Sequence, residues 1–196
     1  MPRLPLRFYR RETETVAKEL LGQILVHQLD AKTFLSGRIV ETEAYLGAVD
    51  PACHSYPNKR TGRTTVLFEN GGLSYVYFIY GVYYCFNVVT EKAGRGEAVL
   101  VRALEPVDGI KQMRKARGVE KVEQLCSGPG KLCQAMGIGR AENGLKLNGK
   151  KVWLEKSRSV ASSDIVTCPR IGIAQAEASQ MLLRYYDKNS PCVSRR

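Results

Sequence analysis

Gly37-Arg38-Ile39-Val40-Glu41-Thr42-Glu43-Ala44-Tyr45-Leu46-Gly47 is the stretch on which the reading of this chain turns. It is a short apolar strand, and residues two apart on a strand share a face. Glu41, Glu43 and Tyr45 therefore point one way, and Val40, Thr42 and Ala44 the other. The strand delivers two carboxylates and an aromatic ring to its exposed end. Carboxylates on an apolar strand cost free energy unless they are paired, solvated or used. For a lone Glu-x-Glu, an edge strand with solvated glutamates is the better reading. The residues that follow argue for use.

Upstream, Val16, Ala17, Leu20 and Leu21 recur at helical spacing, with Gly22 as the stop. Residues 24–26 and 34–45 read as strands joined by a turn near Asp30-Ala31-Lys32. Downstream, residues 47–64 lack periodicity and carry Gly, Pro, Asn, Lys and Arg, which predicts a long, basic, functional loop. Residues 73–89 are dense in aromatic and β-branched side chains, and Gly81 breaks them into a hairpin with its tip at Tyr80-Gly81. Residues 98–104 predict a buried strand closed by Pro106, and residues 108–117 a basic helix capped by Asp108. A further helix starts around Ser127-Gly128-Pro129-Gly130-Lys131 and ends at Gly137. Short strands are expected at 152–154 and 171–173, a helix over 174–184, and a frayed tail over 189–196.

The chain has 196 residues, which predicts a single domain with a full core. Lys and Arg number 30 against 19 Asp and Glu, a net charge of +11. A basic surface of that size favours nucleic acid or an anionic membrane. No apolar run has membrane-spanning length, and the basic start Met1-Pro2-Arg3 leads into no apolar stretch of a secretory signal. The cysteines, at 53, 85, 126, 133, 168 and 192, form no Cys-x-x-Cys pair, and there are only two histidines. Reduced thiols in an intracellular protein fit this pattern, and a zinc site does not.

An aromatic residue at a hairpin tip is unusual. In a basic protein, Tyr80 suggests a ring inserted between bases; the alternative is a ring folded back over the hairpin. Gly128-Pro129-Gly130-Lys131 offers either helix N-terminal amides and a lysine to a phosphate, or simply a proline-started helix. It is not a Walker A loop, because Leu125 stands where the first glycine is required. Arg60, Arg63, Arg114, Lys115 and Arg117 are candidate phosphate contacts; Trp153 is assigned to packing and His27 to the surface.

Five blocks together resemble the alkyladenine (3-methyladenine) DNA glycosylase family. They are Glu41-Thr42-Glu43-Ala44-Tyr45, Asp50-Pro51-Ala52-Cys53-His54-Ser55, the hairpin from Tyr75 to Asn87, Leu100-Val101-Arg102-Ala103-Leu104-Glu105-Pro106, and Leu125-Cys126-Ser127-Gly128-Pro129-Gly130-Lys131-Leu132-Cys133. The resemblance implies a single mixed α/β domain with a curved, mostly antiparallel β-sheet and surrounding helices, like the formyltransferase C-terminal domain. It implies a monofunctional enzyme that flips alkylated or deaminated purines out of duplex DNA and hydrolyses the N-glycosidic bond. By that resemblance Glu43 is the base that activates water, and Arg102 helps hold water or phosphate. Tyr45, His54 and Tyr77 enclose the flipped purine, and Asn87 disfavours the amine of normal guanine. Tyr80 is the wedge, while Arg60, Arg63, Gly130 and Lys131 are taken as DNA contacts. The expected partner is damaged double-stranded DNA, met by a monomer without metal, organic cofactor or membrane. The lack of a long N-terminal extension favours a bacterial source and a cytoplasmic, nucleoid-associated location; a eukaryotic source would imply the nucleus.

The chain departs from the family pattern at Tyr56-Pro57-Asn58, at Thr64 and at 92–96, which bears on substrate range and DNA contacts more than on the reaction. Two other readings compete. One is a non-catalytic nucleic-acid-binding module, against which the set Glu43, Tyr45 and His54 argues. The other is a glycosylase-lyase acting through a lysine Schiff base.

Overall fold

The computed structural model describes residues 1–196. Two short helices, α1 (Leu6–Tyr9) and α2 (Thr13–Glu19), lead into the strands β1 (Ile24–Gln28) and β2 (Phe34–Tyr45). The hairpin follows as β3 (Ser74–Ile79) and β4 (Tyr83–Val89), then β5 (Ala98–Asp108). Helices α3 (Ile110–Arg117) and α4 (Pro129–Met136) come next, and β6 (Val152–Glu155), β7 (Ile165–Cys168), α5 (Ala176–Ser179) and β8 (Arg184–Asp187) complete the order. The molecule is mixed α/β, with an open eight-stranded sheet ordered β3-β4-β5-β2-β1-β6; β8 also joins β2, and β7 joins β8. Every pairing between these strands is antiparallel. No helix is long and apolar enough to cross a membrane.

The placement of β2 excludes the edge-strand alternative. Its first half pairs with β1, its second half with β8 at Glu41–Glu43, and its other side with β5 throughout. Glu41 and Glu43 thus sit on a central strand and are fully buried rather than exposed. The β2–β5 register shifts at Ile39/Glu41 and at Glu41/Thr42. Such bulges bend a strand and re-aim its side chains. A cluster of 29 buried residues, among them Leu25, Ile39, Phe86, Val101, Leu104 and Leu132, forms the main core. None of the six cysteines is paired.

Several expectations are corrected. Strand β5 continues through Pro106, which lies opposite Gly37 beside a register shift, where a missing N–H is tolerated. Asp108 belongs to β5 and accepts the Ser36 hydroxyl at 2.6 Å; it is not a helix cap. Gly109 starts α3 instead, at φ +77°, where a Cβ would meet the Leu35 side chain at 2.2 Å. Residues 171–173 hold a turn at Ile171-Gly172 and no strand. The predicted helix over 174–184 shrinks to Ala176–Ser179, because Arg184 onward pairs with β2 and β7. His27 is buried, not on the surface: its Nδ1 lies 2.7 Å from the Met136 carbonyl and its Nε2 3.5 Å from Glu142.

The tail is not frayed. Ser190 and Cys192 are buried, and Ser194 donates its backbone N–H and hydroxyl to Glu41 at 2.7 and 2.9 Å. A buried carboxylate needs donors, and the tail supplies two of them.

Candidate active site

Glu43 is fully buried on β2 and does not itself line the cavity of about 500 Å³; its partners Tyr45, Arg102 and Ile171 do. Its Oε1 accepts the Ile171 N–H at 2.8 Å and faces Arg102 Nη1 at 3.2 Å, and its Oε2 accepts the Tyr45 hydroxyl at 2.9 Å. A carboxylate has about four lone-pair positions, and these three donors engage most of them. Burial raises the Glu43 pKa, and the Arg102 charge, the Ile171 N–H and the Tyr45 hydroxyl oppose that rise. Arg102 also lies 3.2 Å from Glu41 through Nε. Burial works against its charge, but Glu43 and Glu41 outweigh it and raise its pKa.

Arg102, Tyr45, Asn87 and Leu100 line the inner part of the cavity together with His54, Tyr75 and Tyr77. The last three rings form one cluster: His54 and Tyr77 meet edge to face at 4.5 Å, and Tyr75 and Tyr77 are 5.4 Å apart. The Tyr75 hydroxyl lies 3.0 Å from His54 Nδ1. Desolvation, aided by Arg63, pushes the His54 pKa down to about 4, so its imidazole is neutral at physiological pH. Burial likewise raises the Tyr45 and Tyr77 phenols, which stay protonated. Asn87 donates Nδ2 to the Tyr75 carbonyl at 3.0 Å, which fixes its amide. Such a cavity can hold a flat aromatic guest between rings, with a carboxylate behind the lining residues.

The structure brings Glu43, Arg102, Tyr45, His54, Tyr77 and Asn87 to one place, with Tyr80 and Gly130 at the same cavity. Tyr80 is 81% exposed, so its ring is not folded back over the hairpin. Both Tyr80 (φ +56°) and Gly81 (φ +68°) are left-handed. A non-glycine residue there costs about 1–3 kcal/mol, and such strain concentrates at functional sites. Gly130 packs on Tyr83, whose ring a Cβ would meet at 2.8 Å, and Lys131 beside it is exposed. Arg60 lies over the Phe68 ring at 4.3 Å and Arg63 over Tyr77 at 4.9 Å, both exposed. Of the other basic candidates, Arg114 bonds the Glu120 carbonyl, and Arg117 ties α3 to Leu125 and Gln134. Both serve packing. Thr64, one of the departures, staples the basic loop by donating to the Lys59 carbonyl at 3.0 Å.

Sequence reasoning missed four contributors. Tyr75 shares the parity of Tyr77, and that signal could have found it. Ile171, Arg170 and Arg184 reach the site from more than 120 residues away, and no local pattern marks them.

Comparison with known proteins gives the family. The family model described as methylpurine-DNA glycosylase (MPG) matches residues 7–191. A protein of Methanocella arvoryzae is 49% identical over 199 residues, covering 100% of this chain and 98% of its own. One of Alkaliphilus oremlandii is 47% identical over 203 residues, covering 99% of this chain and 100% of its own. One of Clostridium perfringens strain SM101 is 44% identical over 205 residues, again covering 99% and 100%. All three carry the name "Putative 3-methyladenine DNA glycosylase". With nearly its whole length matched, the chain belongs to the methylpurine-DNA glycosylase family.

Proposed function

We propose that this protein flips alkylated or deaminated purines out of duplex DNA and hydrolyses their N-glycosidic bond with water activated by Glu43. The observation that carries the proposal is the Glu43 carboxylate, held by three residues that themselves line an aromatic cavity with an exposed tyrosine at its rim. A base inside a duplex must leave the stack before its glycosidic carbon is accessible. Tyr80 fills the gap it leaves, and base–aromatic stacking contributes roughly 1–3 kcal/mol. Tyr45, His54 and Tyr77 enclose the purine, and their faces favour an electron-poor, cationic ring.

Cleavage of the N-glycosidic bond builds positive charge on the sugar. The bond's electron pair leaves with the base, the water oxygen bonds to C1′, and Glu43 takes the water proton. General-base assistance of this kind contributes about 10²–10⁴ in rate. An N-alkylated purine carries a positive charge and leaves as a neutral base. Hypoxanthine must gain a proton to leave equally well. Arg102 keeps the Glu43 carboxylate aligned, and the fixed Asn87 amide disfavours the amine of normal guanine. We also propose that the enzyme works as a monomer and that its sheet is of the formyltransferase C-terminal type.

Single-turnover excision on duplexes each carrying one of 3-methyladenine, 7-methylguanine, hypoxanthine or ethenoadenine tests the reading. Excision of at least one alkylated purine, without a borohydride-trapped adduct, supports it. No excision on the whole panel overturns it, and a trapped adduct replaces water with a lysine nucleophile.

A further inference from the structure

We infer that Arg170, pinned by Asp50, is a positioning residue that holds Glu43 through two separate routes. The inference rests on the role proposed for Glu43. Arg170 and Asp50 form an ion pair whose side chains are both wholly buried. It is bidentate, with Nη1 2.5 Å from Oδ2 and Nη2 2.8 Å from Oδ1. Nη1 also donates to the Ala44 carbonyl at 2.9 Å, on the residue between Glu43 and Tyr45. Asp50 in turn accepts the N–H groups of Leu46 and Ala52, which anchors the loop after β2.

The first route runs through Tyr45. The Arg170 guanidinium lies over that ring, 4.6 Å from its centroid. Tyr45 lines the cavity and Arg170 does not, so the arginine backs the ring from the protein side. The ring cannot tilt without losing this contact, and its hydroxyl donates to Glu43 Oε2. The second route is the backbone. Fixing Arg170 fixes the next residue, whose N–H donates to Glu43 Oε1. One buried guanidinium therefore sets two of the three donors on the proposed base. A buried pair is weak evidence for stability, because desolvation offsets much of its attraction. Its placement gives it a different use.

Both donors favour the ionised carboxylate. The other groups facing Glu43 are Arg102 from β5, Glu41 on β2, Cys85 from β4 and Cys168 from β7. The Arg170 charge also attracts Glu43 directly, and it too favours the ionised carboxylate. Loss of Arg170 should therefore impair the base more than it weakens DNA binding.

The test compares Arg170→Gln, Arg170→Lys and the double variant Asp50→Asn/Arg170→Gln with the parent, using single-turnover excision against pH and damaged-DNA affinity. Arg170→Gln is expected to slow excision at its pH plateau by about 10–100-fold, the scale of a small misplacement. Its acid limb should move to a pH higher by about one, with a smaller fold-change in affinity than in rate. Arg170→Lys keeps a cation behind Tyr45 and should recover part of both effects. The double variant leaves no unpaired buried charge and should fold while showing the same acid limb. If the Arg170 variants do not fold, Tyr45→Phe removes only the hydroxyl route, and its acid limb must still move up. An unmoved limb and a parental rate in folded variants overturn the inference while the parent enzyme stays active. A parent with no excision would instead overturn the underlying function.

Discussion

Glu41 and Glu43, side by side on one face of β2, divide a single guanidinium: Arg102 lies 3.2 Å from each, through Nε to Glu41 and Nη1 to Glu43. Their other partners differ. Glu41 is bound by Arg184 at 2.8 Å and by Ser194, so its partners are structural elements from the end of the chain. Glu43 is bound by Tyr45, which lines the cavity, and by the Ile171 N–H. Two similar carboxylates thereby take different tasks. One ties the sheet to the tail, and the other is held by residues that line the cavity.

Glu43→Gln keeps the shape of the side chain and removes its basicity. Single-turnover excision should fall by about 10²–10⁴, while affinity for lesion-bearing duplex is retained. Near-normal turnover would move the role of base elsewhere, with Glu41 tested next.

The rate should depend on pH through Glu43. Burial raises its pKa, and a base must be ionised to accept a proton. Excision is therefore lost as pH falls through a value above the usual carboxylate range. His54, with its pKa near 4, is already neutral there. A rate profile for His54→Asn should keep the parental acid limb even if substrate binding weakens. An acid limb that disappears with His54 would reassign the titrating group.

Glu41→Gln should cost stability more than chemistry. It breaks a fully buried pairing with Arg102 and Arg184, and breaking a buried pair from one side costs about 3–5 kcal/mol. Ser194→Ala removes only one hydroxyl donor and should cost about 1 kcal/mol. Denaturant midpoints at constant m-value measure both. A loss no larger for Glu41→Gln than for Ser194→Ala would mean that the pairing with Arg102 and Arg184 adds little to stability.

Tyr80→Ala should impair flipping while sparing the excision step. Losing a stacking ring worth roughly 1–3 kcal/mol shifts the flipping equilibrium about tenfold to a hundredfold. A fluorescent base analogue that brightens on unstacking reports this directly. Full flipping by Tyr80→Ala would make Tyr80 a cap on the hairpin, with its left-handed backbone unexplained. Tyr77→Ala should differ, because it removes a cavity wall and should slow excision of cationic and neutral lesions alike.

Affinity for undamaged duplex should fall with salt, because phosphate contacts release counterions. The net charge of +11 requires a clearly negative slope of log affinity against log salt. A flat plot would assign the charge to another partner.

The parts of this molecule that local order controls were readable in advance. Alternation along 37–47 put Glu41, Glu43 and Tyr45 on one face, and the aromatic run broken at Gly81 gave the hairpin and its exposed tyrosine. The proline start and glycine end of α4 were local signals as well. What stayed hidden depends on which distant segment lies across from each residue. The 174–184 stretch has helical residues, yet its end pairs with Glu41–Glu43, and that pairing overrides propensity. Alternation says which way a carboxylate points but not what meets it. Arg102, Arg170, Ile171, Arg184 and Ser194 all arrive across the sheet from elsewhere in the chain. Their arrival buries the two glutamates, which local sequence placed at the exposed end of a strand, and supplies them with donors. A carboxylate's burial, pKa and readiness to act as a base follow from its neighbours in space, and packing alone assembles those.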